Sequence, residues 1–511
     1  MIPILTPAET AELDRESASR GVTTDSLMAN AGRAVARTVV AMAGGAYGRR
    51  ALVVCGKGNN GGDGLVAARR LERDGMGVRV VLLTDPSGLR GEPASNLARY
   101  ASSGGVWRRY DEGGLRREVE RADVVVDAVF GTGFRGAPDG DFARAIELIN
   151  EAAGSVVAVD IPSGVEGETG LVRGEAVFAD ATVTFGALKP GLVFHPGASH
   201  AGDVEMVDIG FPAGLVRSDL WLVEADDMAA LIPARPPESH KRASGVVLVV
   251  AGSRSMTGAA ALTARAAYRA GAGLVTVAVP RSVLPVVEGA IREATFLPLP
   301  ETEAGTVAEG GWDVLSERMA DVNAAAIGPG LTTDPSTAEL VRRFVTECPV
   351  PFVLDADGLN AFAGRSSLLA ERRSEAILTP HAGEFGRLTG LAPMEVLEDR
   401  VGHTRKASAE FRCAVLLKGS RTIVAEPTGR VRVNPTGGPV LATGGTGDVL
   451  TGAVAALLAR GLAPADAAIL AAYVHGVAGR MAGMELGEGT VAGDVAERLP
   501  RAMAALFREA G

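Results

Sequence analysis

Short, unbroken runs of valine, leucine, isoleucine and alanine recur along this chain, and they constrain its fold more than any other feature. Leu52–Val54, Val78–Leu83, Val124–Val126 and Val156–Val159 alternate with longer segments of helical character. Apolar runs without polar alternation suit strands buried on both faces, as in a parallel sheet covered by helices. Each run is soon followed by glycine, aspartate or proline, and open parallel sheets bind ligands in the loops beyond their strand carboxyl ends. The first half therefore reads as a doubly wound α/β domain.

Between about residues 211 and 245 the rhythm lapses into Phe-Pro-Ala-Gly and then Ile-Pro-Ala-Arg-Pro-Pro-Glu-Ser-His-Lys-Arg, a proline-rich stretch unsuited to a sheet. It resumes with Val246–Val250, a helix from about Ala259 to Ala270, Leu274–Val279, and runs ending at Ile327, Leu354, Leu378 and Leu417. A chain of 511 residues exceeds the usual size of one hydrophobic core. Two domains are expected, with their boundary in the stretch between about residues 211 and 245. The halves share a rhythm but no motif, so they are not read as a repeat.

No apolar segment is long enough for a membrane span, and a net charge of -10 disfavours a nucleic-acid partner while leaving room for a local nucleotide pocket. Cys55, Cys348 and Cys413 lie far apart without metal-ligand spacing and read as buried free thiols. The opening Met-Ile-Pro-Ile-Leu-Thr-Pro does not resemble a secretion signal, and a cytoplasmic location is expected.

Leu52-Val53-Val54-Cys55 leads into Gly56-Lys57-Gly58-Asn59-Asn60-Gly61-Gly62-Asp63-Gly64 and then a helical segment. A glycine-rich turn between strand and helix lets backbone N–H groups approach an anion at the helix N-terminus. Gly56, Gly58 and Gly61 have G-x-G-x-x-G spacing, and Asp85 follows the next strand where a ribose-binding acid could sit. A dinucleotide-dependent dehydrogenase is thus one reading. The Asn-Asn-Gly-Gly-Asp segment adds side chains that a pyrophosphate loop does not require but that suit a cation or a sugar. Two more strand ends belong with it: Asp127 with Gly131-Thr132-Gly133-Phe134-Arg135-Gly136 beyond, and Asp160-Ile161-Pro162-Ser163-Gly164. Topology is expected to bring all three to one sheet edge, although Asp and Gly also commonly cap strands and turns.

These motifs make residues 1–215 resemble the YjeF N-terminal family, the NAD(P)H-hydrate epimerases, whose domain is Rossmann-like. Ser26-Leu27-Met28-Ala29-Asn30-Ala31-Gly32 resembles the family's opening helix motif, with Ala29 where glutamate is usual. The resemblance implies that Asn59, Asn60, Gly61, Gly62 and Asp63, with Gly131, Thr132, Gly133, Phe134, Arg135, Gly136 and Ala137, bind the hydrated dinucleotide. It implies Asp160 as substrate contact and catalytic acid/base, and a potassium ion among Asn60, Asp127 and Ser163. Inverting a carbinolamine carbon requires loss and return of a hydroxyl, which a positioned carboxylate can assist. Lys189 is read equally as an assistant or as a surface lysine.

In the second half, Asn434-Pro435-Thr436-Gly437-Gly438 runs into Ala442-Thr443-Gly444-Gly445-Thr446-Gly447-Asp448 and an apolar helix from Thr451 to Leu458. Glycines opening a helix make an anion hole, and Asp448 sits where it could take a hydroxyl proton, though an Asp in a first turn is also a good cap. The segment resembles the ribokinase-like superfamily. Gly252-Ser253, Gly328-Pro329-Gly330, Leu354-Asp355-Ala356-Asp357-Gly358, Thr379-Pro380-His381-Ala382-Gly383-Glu384 and Leu417-Lys418-Gly419-Ser420-Arg421-Thr422 narrow the likeness to ADP/ATP-dependent NAD(P)H-hydrate dehydratases, over residues 225–511. Ala382 stands where those proteins usually have proline.

That resemblance implies Lys418, Gly419, Ser420, Arg421, Thr422 and Gly447 for the adenine nucleotide, and Ala261, Gly330, His381 and Asp448 for the hydrate, with Asp448 catalytic. It implies magnesium arranged through water by Glu384, and ADP ahead of ATP as co-substrate, giving AMP and phosphate. Asp355 and Asp357 fit a fold role or a metal role equally. The expected function is repair of hydrated nicotinamide cofactors, NADHX and NADPHX, by epimerase and dehydratase in one homo-oligomeric chain. The alternatives are a small-molecule kinase such as a hydroxyethylthiazole kinase in the second half, and a non-catalytic binding module in the first.

Overall fold

The structure, a computed structural model, describes residues 1–235 and 237–509. Pro236, within the proline-rich stretch, and residues 510 and 511, within the span expected for the second domain, lie outside the described residues. The chain divides into two compact units, Ile2–Ser218 and Asp219–Gly511 together with Met1.

The first unit is built on a seven-stranded sheet. Its strands are β1 (Arg50–Cys55), β2 (Gly77–Leu82), β3 (Trp107–Arg109), β4 (Val124–Ala128), β5 (Ser155–Val159), β6 (Ala181–Phe185) and β7 (Asp203–Val207). The order is β3-β2-β1-β4-β5-β6-β7, and every pairing is parallel. The unbroken apolar runs have the expected cause. Leu52, Val54 and Val125 enter the core on one sheet face with Ile146 and Ile149, while Val53, Val80 and Val126 enter the core on the other with Val35, Leu65 and Leu71. Helices on both faces bury both sides of each central strand. Strand order reverses at β1 and β4, opening a crevice at their carboxyl ends. Gly56 and Gly61 are required there by close approach: a Cβ on Gly56 would lie 2.0 Å from Val129 O, and one on Gly61 would lie 2.2 Å from Gly56 O.

In the second unit the strands are β8 (Leu220–Leu222), β9 (Val246–Val250), β10 (Leu274–Pro280), β11 (Thr295–Leu299), β12 (Ala324–Ile327), β13 (Phe352–Leu354), β14 (Ala376–Leu378), β15 (Ala414–Leu417), β16 (Ile423–Ala425) and β17 (Val431–Val433). They run in the order β8-β17-β16-β15-β14-β13-β12-β9-β10-β11. Pairing is parallel from β15 through to β11, and β16 is antiparallel to both its neighbours. The switch point lies between β9 and β12, beside Gly252 and the Gly328-Pro329-Gly330 turn. β8 and the helix Ala225–Leu231 lie inside the stretch where the sequence rhythm lapses. Three residues of strand are too few for an alternation signal, and β8 is held by its parallel register with β17, Leu220 opposite Val431. Among the described residues, no helix is long and apolar enough to cross a membrane.

Candidate functional sites

At the switch point of the first sheet, a cavity of about 530 Å³ opens over the loops that follow β1, β4 and β5. The helix Asn59–Arg73 begins there with Gly58 as N-cap and, among the described residues, no side-chain cap, a helix start suited to an anion. Asn59, Asn60, Asp63, Gly131, Thr132, Gly133, Phe134 and Asp160 line the cavity together. Phe130 stacks on Phe134 with ring centroids 4.5 Å apart and gives one side an aromatic wall.

Five other expected residues stand differently. Gly61 and Gly62 are packing positions, with Gly62 against the Met28 thioether. Beyond Phe134 the loop turns away: Arg135 pairs with Glu168 at 3.5 Å, the Gly136 N–H donates to Glu166 at 3.0 Å, and Ala137 packs near Gly174. Asp85 caps a short turn by accepting from the Ser87 N–H and pairs with Arg109 at 3.0 Å. Asp85 does not line the cavity, where the dehydrogenase reading would need a ribose-binding acid.

Asp160 has φ 65°, an uncommon conformation for a side chain, fixed by its N–H donating to Val183 O at 2.8 Å. Its Oδ1 receives Lys189 Nζ at 2.6 Å and Thr184 Oγ1 at 3.0 Å. Lys189 is 1% exposed and also donates to Thr184 Oγ1 and Phe185 O, so the surface-lysine reading is wrong. The Lys-Pro-Gly context resembles a surface turn, but the helix Pro190–Val193 buries it. A buried cation persists only when its donors are satisfied, and all three of the Lys189 ammonium are engaged.

Beneath the cavity lie Asp127 and Ser163, both fully buried. Asp127 accepts the Ser163 N–H at 2.7 Å, the Ser163 hydroxyl at 2.6 Å and the Val129 N–H at 3.2 Å. Burial pushes its carboxyl up to about 6 against those hydrogen bonds, none of which comes from a cationic group. Asn60 Nδ2 donates to Phe130 O at 2.8 Å, and Asn60 Oδ1 is buried without a partner among the described residues. The sequence did not single out Asp14, from the helix Pro7–Ser19, or Lys57, both of which line the cavity.

The second site lies at the carboxyl ends of the central strands of the other sheet. The helix there starts at Thr446 rather than Thr451, with Gly445 as a left-handed N-cap and no side-chain cap, which places Gly447 and Asp448 in its first turn. A Cβ on Gly447 would lie 3.7 Å from Lys418 Nζ and 4.0 Å from Asp355 Oδ2. Lys418 pairs with Asp355 at 2.8 Å and stands 3.6 Å from Glu384, while Asp355 accepts from Thr451 Oγ1 at 2.6 Å. Burial opposes the charge on both partners, but the pair outweighs it: Asp355 is held below the usual carboxylate range and Lys418 above its ordinary value. Asp355, which the sequence left open between a fold role and a metal role, is therefore the partner that holds Lys418.

Asp448 carries the opposite balance. Burial, then Asp355 and Asp357, push its carboxyl up to about 7, with Lys418 opposing. His381 is the N-cap of the helix Ala382–Thr389: its Nδ1 accepts from the Gly383 and Glu384 N–H groups at 3.0 and 3.3 Å, while Glu384 accepts from the His381 N–H. Its ring stays half-exposed. Gly330 has φ +65°, and a Cβ on it would lie 2.9 Å from Ala259 Cβ, which sets it against the helix Thr257–Arg269 that carries Ala261. The Lys418–Thr422 turn is held by Arg400, donating to Ser420 O at 2.6 Å and Arg421 O at 3.1 Å, by Arg421 donating to Pro435 O, and by Thr422 donating to Gly419 O. Among the described residues no group of three or more His, Cys, Asp or Glu side chains converges as a metal site.

Residues 24–191 match the family described as YjeF-related protein N-terminus, and residues 247–501 match the family described as NAD(P)H-hydrate dehydratase. A bifunctional NAD(P)H-hydrate repair enzyme from Moorella thermoacetica is 44% identical over 99% of this chain and 97% of its own length. The protein of the same name from Thermofilum pendens is 41% identical, covering 97% of this chain and 95% of its own. Among solved structures, the ADP/ATP-dependent NAD(P)H-hydrate dehydratase of Bacillus subtilis aligns with TM-score 0.48 and 32% identity, over 57% of this chain and 99% of its own.

Proposed function

The chain belongs to the bifunctional NAD(P)H-hydrate repair enzymes, and from that premise we propose which of its residues do the work. It joins an NAD(P)H-hydrate epimerase to a nucleotide-dependent NAD(P)H-hydrate dehydratase. Identity of 44% over 99% of the chain carries the reading.

In the epimerase the substrates are both epimers of hydrated NADH and NADPH. The amides at Asn59 and Asn60 and the Gly131–Phe134 loop receive the dinucleotide, and Asp160, set by Lys189, moves the proton of the hydroxyl that leaves and returns at the carbinolamine carbon. Gly61, Gly62, Arg135, Gly136 and Ala137 support that loop from outside the cavity. Potassium fits beside Asn60, Asp127 and Ser163: an orphaned buried amide oxygen and a buried carboxylate without a cationic hydrogen-bond partner are a donor set suited to a hard monovalent cation. When bound, the ion supplies positive charge under the phosphate loop. Potassium is expected to raise the melting temperature of the first unit relative to sodium by roughly 5 °C at saturation. Asp127→Asn is expected to remove that difference, as differential scanning fluorimetry in the two salts would show.

In the dehydratase Lys418 and the Gly419–Thr422 turn, with Gly447, receive the adenine nucleotide, and Ala261, Gly330 and His381 border the hydrate. Asp448 takes the proton of the substrate hydroxyl as its oxygen bonds the terminal phosphorus, and the bond from that phosphorus to the bridging oxygen breaks, with its electron pair leaving on AMP when ADP is the donor. Phosphate then leaves with the carbon–oxygen electron pair, the ring nitrogen lone pair assists, and loss of the neighbouring proton restores the ring double bond. Glu384 already accepts from the His381 N–H and stands near Lys418, so it would hold magnesium only through water, beside the nucleotide phosphates. The ion supplies charge neutralisation on those phosphates. ADP is the preferred donor, the chain works in the cytoplasm beside the cofactor pool, and it assembles as a homo-oligomer. Return of reduced-nicotinamide absorbance with ADP and ATP in parallel tests this. Faster return with ADP supports it, and no return with either nucleotide assigns the second unit to the small-molecule kinases.

A further inference from the structure

We propose that Asp63 is a second catalytic residue of the epimerase, the acid that protonates the departing hydroxyl on one face of the carbinolamine carbon while Asp160 serves as the base on the other. The inference rests on the epimerase reading of the first unit.

An epimerase must handle a hydroxyl on either face, so two proton-handling groups in unlike states are chemically useful. Both carboxyls border one cavity. Asp160 is the anionic half of an ion pair with Lys189 at 2.6 Å and accepts from Thr184. Asp63, on the helix Asn59–Arg73, is 9% exposed, and among the described residues no hydrogen bond or ion pair engages its side chain. The charged groups around the cavity are Asp14 from the helix Pro7–Ser19, Lys57 from the glycine loop, Asp160 after β5, and Lys189. Burial, then Asp160 and Asp14, push the Asp63 carboxyl well above the usual carboxylate range, with Lys189 opposing. A buried carboxyl with no cationic partner beside a second carboxylate favours its neutral form, which suits Asp63 to the acid role.

Asp63 gives that proton to the hydroxyl oxygen as the carbon–oxygen bond breaks, the electron pair leaves on oxygen as water, and the ring nitrogen lone pair closes a carbon–nitrogen double bond. A second water then bonds the carbon from the opposite face and gives its proton to Asp160, while the double-bond electrons return to nitrogen. Asp63 ends ionised and Asp160 protonated. Proton exchange with water in the open cavity then returns the pair to its starting state, and the opposite epimer runs with the roles exchanged.

The test uses the full-length protein, one isolated epimer of hydrated NADH, and water enriched in heavy oxygen. Wild type is expected to take up one solvent oxygen per inversion and to lose kcat/KM as rising pH deprotonates Asp63. Asp63→Asn is expected to lower epimerase kcat by about 10²-fold or more with KM changed by less than about threefold, and to remove the alkaline decline. Asp63→Glu is expected to recover part of the rate and retain the decline. A wild-type rate in Asp63→Asn, an unchanged alkaline decline in that variant, or inversion without solvent oxygen would overturn the role of Asp63 alone. A wild-type protein that does not accelerate inversion would overturn the epimerase reading and this proposal with it.

Discussion

Asp448→Asn is expected to lower the dehydratase kcat by about 10³-fold, with KM for the nucleotide changed by less than about threefold. The substitution keeps the size of the side chain and the helix start at Gly445, and it removes only the group that takes the hydroxyl proton. Placement gives Asp448 a proton affinity suited to that task. It lies in the first turn of a helix without a side-chain cap, and burial together with Asp355 pushes its carboxyl up to about 7. A base works ionised, so wild-type kcat/KM is expected to rise with pH through about 7 and level off above it. Asp355→Asn removes a neighbouring negative charge and frees Lys418 to act on Asp448. Both changes favour the ionised form, so the rise is expected at lower pH. A rise that stays in place in Asp355→Asn would separate Asp448 from the observed titration.

Asp160→Asn is expected to lower the epimerase rate by about 10²- to 10⁴-fold. Asparagine tolerates the φ 65° backbone at this position better than alanine does, so the variant isolates chemistry from strain. It also leaves Lys189, 1% exposed, without its counter-charge. Breaking one side of a buried pair costs about 3–5 kcal/mol, and the first unit should melt earlier. Asp160→Asn combined with Lys189→Met is expected to regain stability without regaining activity. Recovery of activity in the double variant would contradict a catalytic Asp160.

The parts of this molecule that were legible in the sequence are those where local rules and tertiary packing agree. Apolar runs such as Leu52–Val54 became strands buried on both faces, and the glycine loops that follow Cys55, Ala128, Val250 and Ile327 fell at the two points where strand order reverses. What was missed depends on distant partners. Asp14 lies on a helix far from the glycine loop in sequence and carries no motif, yet that helix borders the cavity. Lys189 looks like part of a surface turn until Asp160, Thr184 and Phe185 surround its ammonium. Asp355 is one of two aspartates in a single motif, and only the fold brings Lys418 and Thr451 to it. In the other direction, Arg135, Gly136 and Ala137 continue a motif that reads as one binding loop, but Glu166 and Glu168 draw the chain away after Phe134.

The most direct test of the account is the time course of reduced-nicotinamide absorbance when an epimeric mixture of hydrated NADH is given ADP and magnesium. With wild type, recovery is expected to run to completion in one phase at the dehydratase rate. With Asp160→Asn, a fast phase is expected to consume one epimer, followed by a slow phase at the spontaneous rate of inversion, and addition of Asp448→Asn should restore the fast course by supplying the missing epimerase. Single-phase completion by Asp160→Asn alone, or no recovery by wild type, would contradict it.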